Sequence, residues 1–192
     1  MSSEDRDLVL RLQTGDLEAL GQIFDRHRLR VFRTALAVVR DPSLAEDVAQ
    51  DVFLRLYQNA YRIDTDLPLV PWLYRVTVNL SCTRLSERSH WFAPLEDVIE
   101  RLVAPARLTP EHQAEHNDEW RNVQAALTAL PVNQRVVLVL YYLNDLSLME
   151  MAEILEVPVG TVKSRLHYGR ENLRRRLGLG VEWLPEVAYE FT

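Results

Sequence analysis

The stretch Ser147-Leu148-Met149-Glu150-Met151-Ala152-Glu153-Ile154-Leu155-Glu156-Val157-Pro158-Val159-Gly160-Thr161-Val162-Lys163-Ser164-Arg165-Leu166-His167 decides how this chain is read. Asp145 and Ser147 are both placed to cap a helix. Leu148, Met151, Ala152 and Leu155 then give that short helix one apolar face. Glu156 to Gly160 reads as a compact turn. Beyond it, Val162, Leu166, Gly169, Leu173 and Leu177 line the inner face of a final helix. Two helices joined by a short turn, the second basic and polar, form the helix-turn-helix arrangement. Between Pro158 and Leu177, Lys163, Arg165, Arg170, Arg174, Arg175 and Arg176 stand against one acid, Glu171. At 100° per residue, Lys163, Ser164, His167, Arg170, Glu171 and Arg174 fall away from the apolar seam. Such a helix can enter a major groove, its first residues reaching base edges and its later arginines gripping phosphates. Arginines near a helix C-terminus also suit the helix dipole in plain solvent. Basic charge that follows a correctly spaced turn favours DNA.

Upstream, Pro131 starts a helix through Val136, Val137, Leu140 and Tyr141, and a further segment covers Trp120 to Leu130. Residues 89–117 hold Pro94, Pro105 and Pro110, with Glu96, Asp97, Glu100, Glu111 and Glu115 against Arg101 and Arg107; this is an acidic inter-domain linker. A helix from Trp72 to Arg88 turns Trp72, Leu73, Val76 and Leu80 inward. Its other side carries the stripe Arg75, Asn79, Cys82 and Ser86, with Thr77 and Arg84 beside it. Tyr61 to Pro71 is a loop. Before it, Leu44, Ala45, Val48, Ala49, Val52, Phe53, Leu56, Tyr57 and Ala60 share one broad apolar face. Glu46, Asp47, Gln50, Asp51, Leu54, Arg55 and Gln58 face the other way. Asp41-Pro42-Ser43 breaks this helix from an earlier one that Asp16 caps. That helix places Leu17, Leu20, Phe24, Val31, Ala35 and Val39 on one side.

The 192 residues carry 22 Lys+Arg against 28 Asp+Glu, a formal net charge of −6, which excludes a uniformly basic nucleic-acid coat but not a basic patch. The single cysteine, Cys82, rules out an intramolecular disulfide or a Cys-rich zinc site. Early charges (Glu4, Asp5, Arg6, Asp7) fit no signal peptide, and the longest apolar run, Val136 to Leu143, is far too short to span a bilayer. The expectation is a soluble, cytoplasmic protein with no membrane insertion. No Walker A, GxGxxG or GxSxG pattern occurs. His112 and His116 are four apart, yet Gln-Ala-Glu between them does not make a metalloprotease motif, so no metal, cofactor or enzymatic activity is expected.

Residues 147–167 resemble region 4.2 of the bacterial sigma factors. Leu44-Ala-Glu-Asp-Val-Ala-Gln-Asp-Val-Phe53 resembles region 2.2, and Trp72-Leu-Tyr-Arg-Val-Thr-Val-Asn79 resembles region 2.4. Order and spacing are similar to the extracytoplasmic-function (ECF) group of the sigma-70 family. The resemblance implies an all-α chain of two small helical domains: a region 2-like domain at 1–88, the flexible linker at 89–117 and a region 4-like domain at 118–177. A tail at 178–192 has no assigned role. It also implies core RNA polymerase as partner, through its β′ clamp and β flap, with Asp47, Gln50, Asp51, Leu54 and Arg55 on the clamp. Promoter DNA would be read at −10 by Asp64, Thr65, Arg75, Asn79 and Arg84. At −35 it would be read by Lys163, Ser164, His167 and Tyr168, with Thr161, Arg165, Arg170, Arg174, Arg175 and Arg176 on phosphates. The acidic linker would thread the basic RNA exit path, and an anti-sigma factor would be a further partner. Two other readings remain open: a LuxR-like helix-turn-helix regulator acting without polymerase, and a helical adaptor for which Lys163 and Arg165 are dispensable.

Overall fold

A computed structural model describes residues 3–91 and 125–178, and among them every regular element is helical. The acidic linker (apart from its first three residues), the His112/His116 pair and the tail beyond Gly178 lie outside the described residues. The order is α1 (Ser3–Gln13), α2 (Leu17–Val39), α3 (Pro42–Asn59), a 3-10 turn (Ala60–Arg62) and α4 (Leu69–Trp91). After a helical turn at 125–128 come α5 (Val132–Tyr142), α6 (Leu148–Leu155) and α7 (Val159–Leu177).

Local chemistry sets the boundaries. Gly15, at φ 93°, makes the turn after α1 that a side chain would strain. Asp16 then accepts from the Glu18 and Ala19 amides and is gripped by Arg11 at 2.7 Å. Asp41 caps α3 through the Leu44 amide, with Pro42 in the first turn, where no amide is missed. The loop expected to reach Pro71 ends earlier, because α4 begins at Leu69 and carries Pro71 inside its tolerant first turn. The same helix runs on to Trp91, past the expected end at Arg88.

Helices α1 to α4 enclose one core, with Val9, Ile23, Val31, Val48, Val52, Leu56, Leu69 and Leu73 almost fully buried. Trp72 packs against this core, half-buried. The inward residues of α2 are Ala19, Ile23, His27, Val31, Thr34, Ala35, Val38 and Val39; Leu17 and Phe24 stay exposed. Two polar residues therefore occupy the core stripe. His27 meets Asp5 at 3.2 Å, and Thr34 donates to the Arg30 carbonyl. The displaced Leu17 and Phe24 line an open groove of about 440 Å³ with Leu20, Phe53, Leu54 and Tyr57.

A second core gathers Leu130, Val136 to Leu140, Met151, Ile154, Val162 and Leu166. It also takes in Val38, Tyr74 and Val78 from α2 and α4, so the two halves share an apolar seam. Inside it, buried Arg135 donates to the Val38, Thr128 and Leu130 carbonyls. Val38 lies in the last turn of α2, Thr128 ends the helical turn at 125–128, and Leu130 follows that turn two residues on. One guanidinium thus satisfies C-terminal carbonyls from both halves. It does so without a carboxylate partner at those contacts, and burial together with the nearby Arg40 charge pushes its pKa down. Asn144 adds a 3.0 Å hydrogen bond to Thr34 across the same seam.

Candidate nucleic-acid interface

The helix-turn-helix is built as its sequence requires. Ser147 caps α6 in a capping box, accepting from the Glu150 amide while Glu150 accepts from the Ser147 amide at 2.8 Å. These hydrogen bonds hold the Glu150 carboxyl below the usual carboxylate range. Asp145, the other expected cap, instead adopts a left-handed turn at φ 53°. At the far end Glu156 also turns left-handed, and its amide returns to the Ala152 carbonyl. Gly169 lets α7 approach α5 closely, since an added Cβ would stand 3.2 Å from Leu138 Cδ1.

On α7 the side chains at the N-terminal half divide cleanly. Lys163, Ser164, His167 and Tyr168 are exposed together, and the His167 and Tyr168 rings meet edge to face at 5.3 Å. Ser164 also donates to the Gly160 carbonyl. Thr161 and Arg165 are half-buried. Arg170, placed by helical spacing on the outer side, turns inward. It is buried and stacked over Tyr141 at 5.0 Å and Tyr142 at 5.3 Å. Arg174 pairs with Glu171 at 3.2 Å, whereas Arg175 and Arg176 are exposed. The cationic end of the helix is thus supplied chiefly by its last turn.

In the first half, Asp47, Gln50, Leu54 and Arg55 are exposed along α3, Leu54 at 51%. Asp51 is half-buried and bound at 2.7 Å by Arg84 of α4, whose pKa this pair raises. One residue expected on polymerase and one expected on DNA therefore hold each other. The loop before α4 is braced: Gln13 donates to the Ala60 and Ile63 carbonyls, and Asp64 accepts from the Asp66 amide. Asp66 in turn pairs with Arg6. Asp64 thus shapes the loop, and Thr65 is half-buried in it.

The α4 stripe faces the second half of the chain. Asn79 is exposed and shares a cleft of about 450 Å³ with Cys82, Ser86, Asn133 and Arg165. Burial pushes the Cys82 thiol up, which leaves it a poor nucleophile. Arg75 binds Glu156 at 2.9 Å and donates to the Glu153 carbonyl at 2.7 Å. Glu156 and Arg135 are the site-bordering residues that sequence reasoning missed. A lone cation beside an apolar run was the one available signal for Arg135; Glu156 gave none.

Comparison with known proteins agrees with this fold. The sigma-70 region 2 family model matches residues 23–90, and the sigma-70 region 4 model matches residues 120–173. ECF RNA polymerase sigma factor SigW of Bacillus subtilis is 32% identical over 177 residues, covering 88% of this chain and 94% of that one. SigM of Mycobacterium tuberculosis is 35% identical over 175 residues, covering 91% and 85%. The structure of CnrH in complex with the cytosolic domain of CnrY superposes with a TM-score of 0.67 at 24% identity, over 92% of this chain and 98% of that one, which speaks for the fold. RpoE in complex with the anti-sigma factor NepR from Bartonella quintana gives 0.64 at 20% identity, over 82% and 96%. A match to both halves does not favour the LuxR-like or adaptor readings. With two family models in order along it and relatives matched over most of its length, the chain belongs to the ECF group of the sigma-70 family.

Proposed function

We propose that this chain binds core RNA polymerase and directs it to promoters in the cytoplasm, with region 2-like and region 4-like domains at 1–88 and 118–177. The observation that carries the reading is the exposed set Lys163, Ser164, His167 and Tyr168 at the start of a helix held by a capped, tight turn. That set meets base edges of a −35 duplex, and Thr161, Arg165, Arg174, Arg175 and Arg176 grip phosphates. Arg170 serves instead as a buried strut on the two tyrosines.

Asp47, Gln50, Leu54 and Arg55 form the polymerase-facing side of α3, an apolar residue among hydrogen-bonding groups. Asn79, with Arg75 and the braced loop at Asp64 and Thr65, receives the unstacked strand of the −10 element. No bond is made or broken by the chain, because binding energy toward the open strand is what stabilises melting. Arg84 orients α4 through Asp51 and reaches the strand backbone from there. An anti-sigma factor is a further partner, by likeness to RpoE in its complex with NepR. Mixing the protein with core RNA polymerase and measuring promoter-specific run-off transcription tests the proposal. Initiation above core alone is expected, and none across a genomic promoter library would overturn it.

A further inference from the structure

We propose that the chain's own tail docks in the apolar groove between α2 and α3, where it competes with core polymerase for that face. The docking stands on the groove itself, and the competition rests on the reading of α3 as polymerase-facing. Leu17 and Phe24 of α2 stand across from Leu54 and Tyr57 of α3, around about 440 Å³ of open space. Leu17 is 61% exposed and Tyr57 47%, an apolar patch of the kind that marks a docking surface. Among the described residues no element covers it.

Gly21 shows that the groove is a built feature. It sits inside α2 and lines the groove, although a glycine within a helix is destabilising relative to alanine. No neighbour requires it, since an added Cβ would meet nothing within 4 Å. Its bare backbone instead deepens the space between Leu17 and Phe24. One turn beyond Phe24 the same stripe reaches Arg28, whose guanidinium stands 5.8 Å from the Phe24 ring centre. A cation therefore marks one end of the groove.

The tail has the matching chemistry and the reach. Residues 179–192 hold Trp183, Tyr189 and Phe191, with Glu182, Glu186 and Glu190 and no Lys or Arg. On α7, Asn172 donates to Gln134 at 2.8 Å, and the adjacent Arg135 donates to the Val38 carbonyl near the end of α2. From Val38 back to Gly21 is about 26 Å along the helix axis, at ~1.5 Å per residue. The fourteen residues after Gly178 extend to about 46 Å at ~3.3 Å each. Tyr189, Glu190 and Phe191 thus reach the groove, two rings for its apolar walls and an acid for Arg28. Leu54 belongs both to this groove and to the polymerase-facing set, so a docked tail lowers the fraction of chain ready for polymerase.

Photo-crosslinking of the free full-length protein tests the docking. With p-benzoylphenylalanine in place of Leu17, irradiation and peptide mapping should give an adduct within residues 187–192, in a yield that dilution does not change. Gly21→Leu fills the groove; it should cut the adduct at least about fivefold and leave Tm no lower than in the parent. The full-length chain carrying Tyr189→Ser and Phe191→Ser should lose the adduct and associate with core RNA polymerase about two- to fivefold faster. The proposal is overturned by no tail adduct, by an adduct that Gly21→Leu leaves intact, or by a Gly21→Leu chain that melts earlier. An adduct lost on dilution, which would make the occupant a second copy, or an unchanged association rate in the tail variant also overturns it. Failure of the polymerase reading would look different: no initiation by parent or variants, with the tail adduct and its sensitivity to Gly21→Leu intact.

Discussion

At Gly169 the helices α7 and α5 approach so closely that any side chain would press on its neighbours. A Cβ there would crowd Leu138 and approach the Gln134 carbonyl to 3.4 Å. Gly169→Val should cost about 1–3 kcal/mol, read as a lower Tm in thermal denaturation. Asn79 makes the opposite kind of prediction, because it is exposed and supports nothing in the core. Asn79→Ala should slow promoter opening about tenfold while leaving assembly with core polymerase unchanged. Loss of assembly instead would move Asn79 into the docking surface. At this scale the sequence told residue type better than residue direction. His27 and Thr34 are polar by type and core by position, since each has a hydrogen-bond partner in the packed structure. Arg170 has the spacing of an outward residue but finds two tyrosine faces within reach of its long side chain.

Element boundaries were legible wherever a side chain makes them. Asp16, Asp41 and Ser147 each cap the helix they precede. Ser147→Ala should destabilise the helix-turn-helix by about 1 kcal/mol in denaturant unfolding. The capping box also carries a pH signature. The folded pKa of Glu150 lies below its unfolded value, so its contribution is complete above the ordinary carboxylate range. It is lost as pH falls through the depressed folded value. Comparing acid unfolding of the parent with Glu150→Gln should show this component vanish in the variant. Helix α1 escapes a periodic reading, although Leu8, Val9 and Leu12 bury it; eleven residues with five charges give a weak periodic signal. The exact turn residues were also hidden, because left-handed Glu156 and Asp145 are not the glycines that such positions favour.

For the whole molecule, the net charge of −6 divides between an acidic bulk and a basic α7. Arg175 and Arg176 are its exposed end. Replacing both with Ala should weaken binding to −35 duplexes uniformly across sequences. The slope of log affinity against log salt should fall by about 1 for each phosphate that is no longer neutralised. The two-half organisation was readable from motifs in order. How the halves meet was not, because the seam depends on pairs such as Thr34 and Asn144, 110 positions apart. No local pattern announces such a pairing.

The seam has one more consequence, concerning stoichiometry. Arg135 satisfies the end of α2 through space, and nothing in that hydrogen bond records that donor and acceptor share a chain. Two copies exchanging their C-terminal halves would reproduce the whole seam twice, at no cost in bonding. Self-closure and exchange then compete only through concentration, with dilution favouring the monomer. A concentrated preparation that behaves as a dimer would thus be no different in its internal packing from the closed single chain.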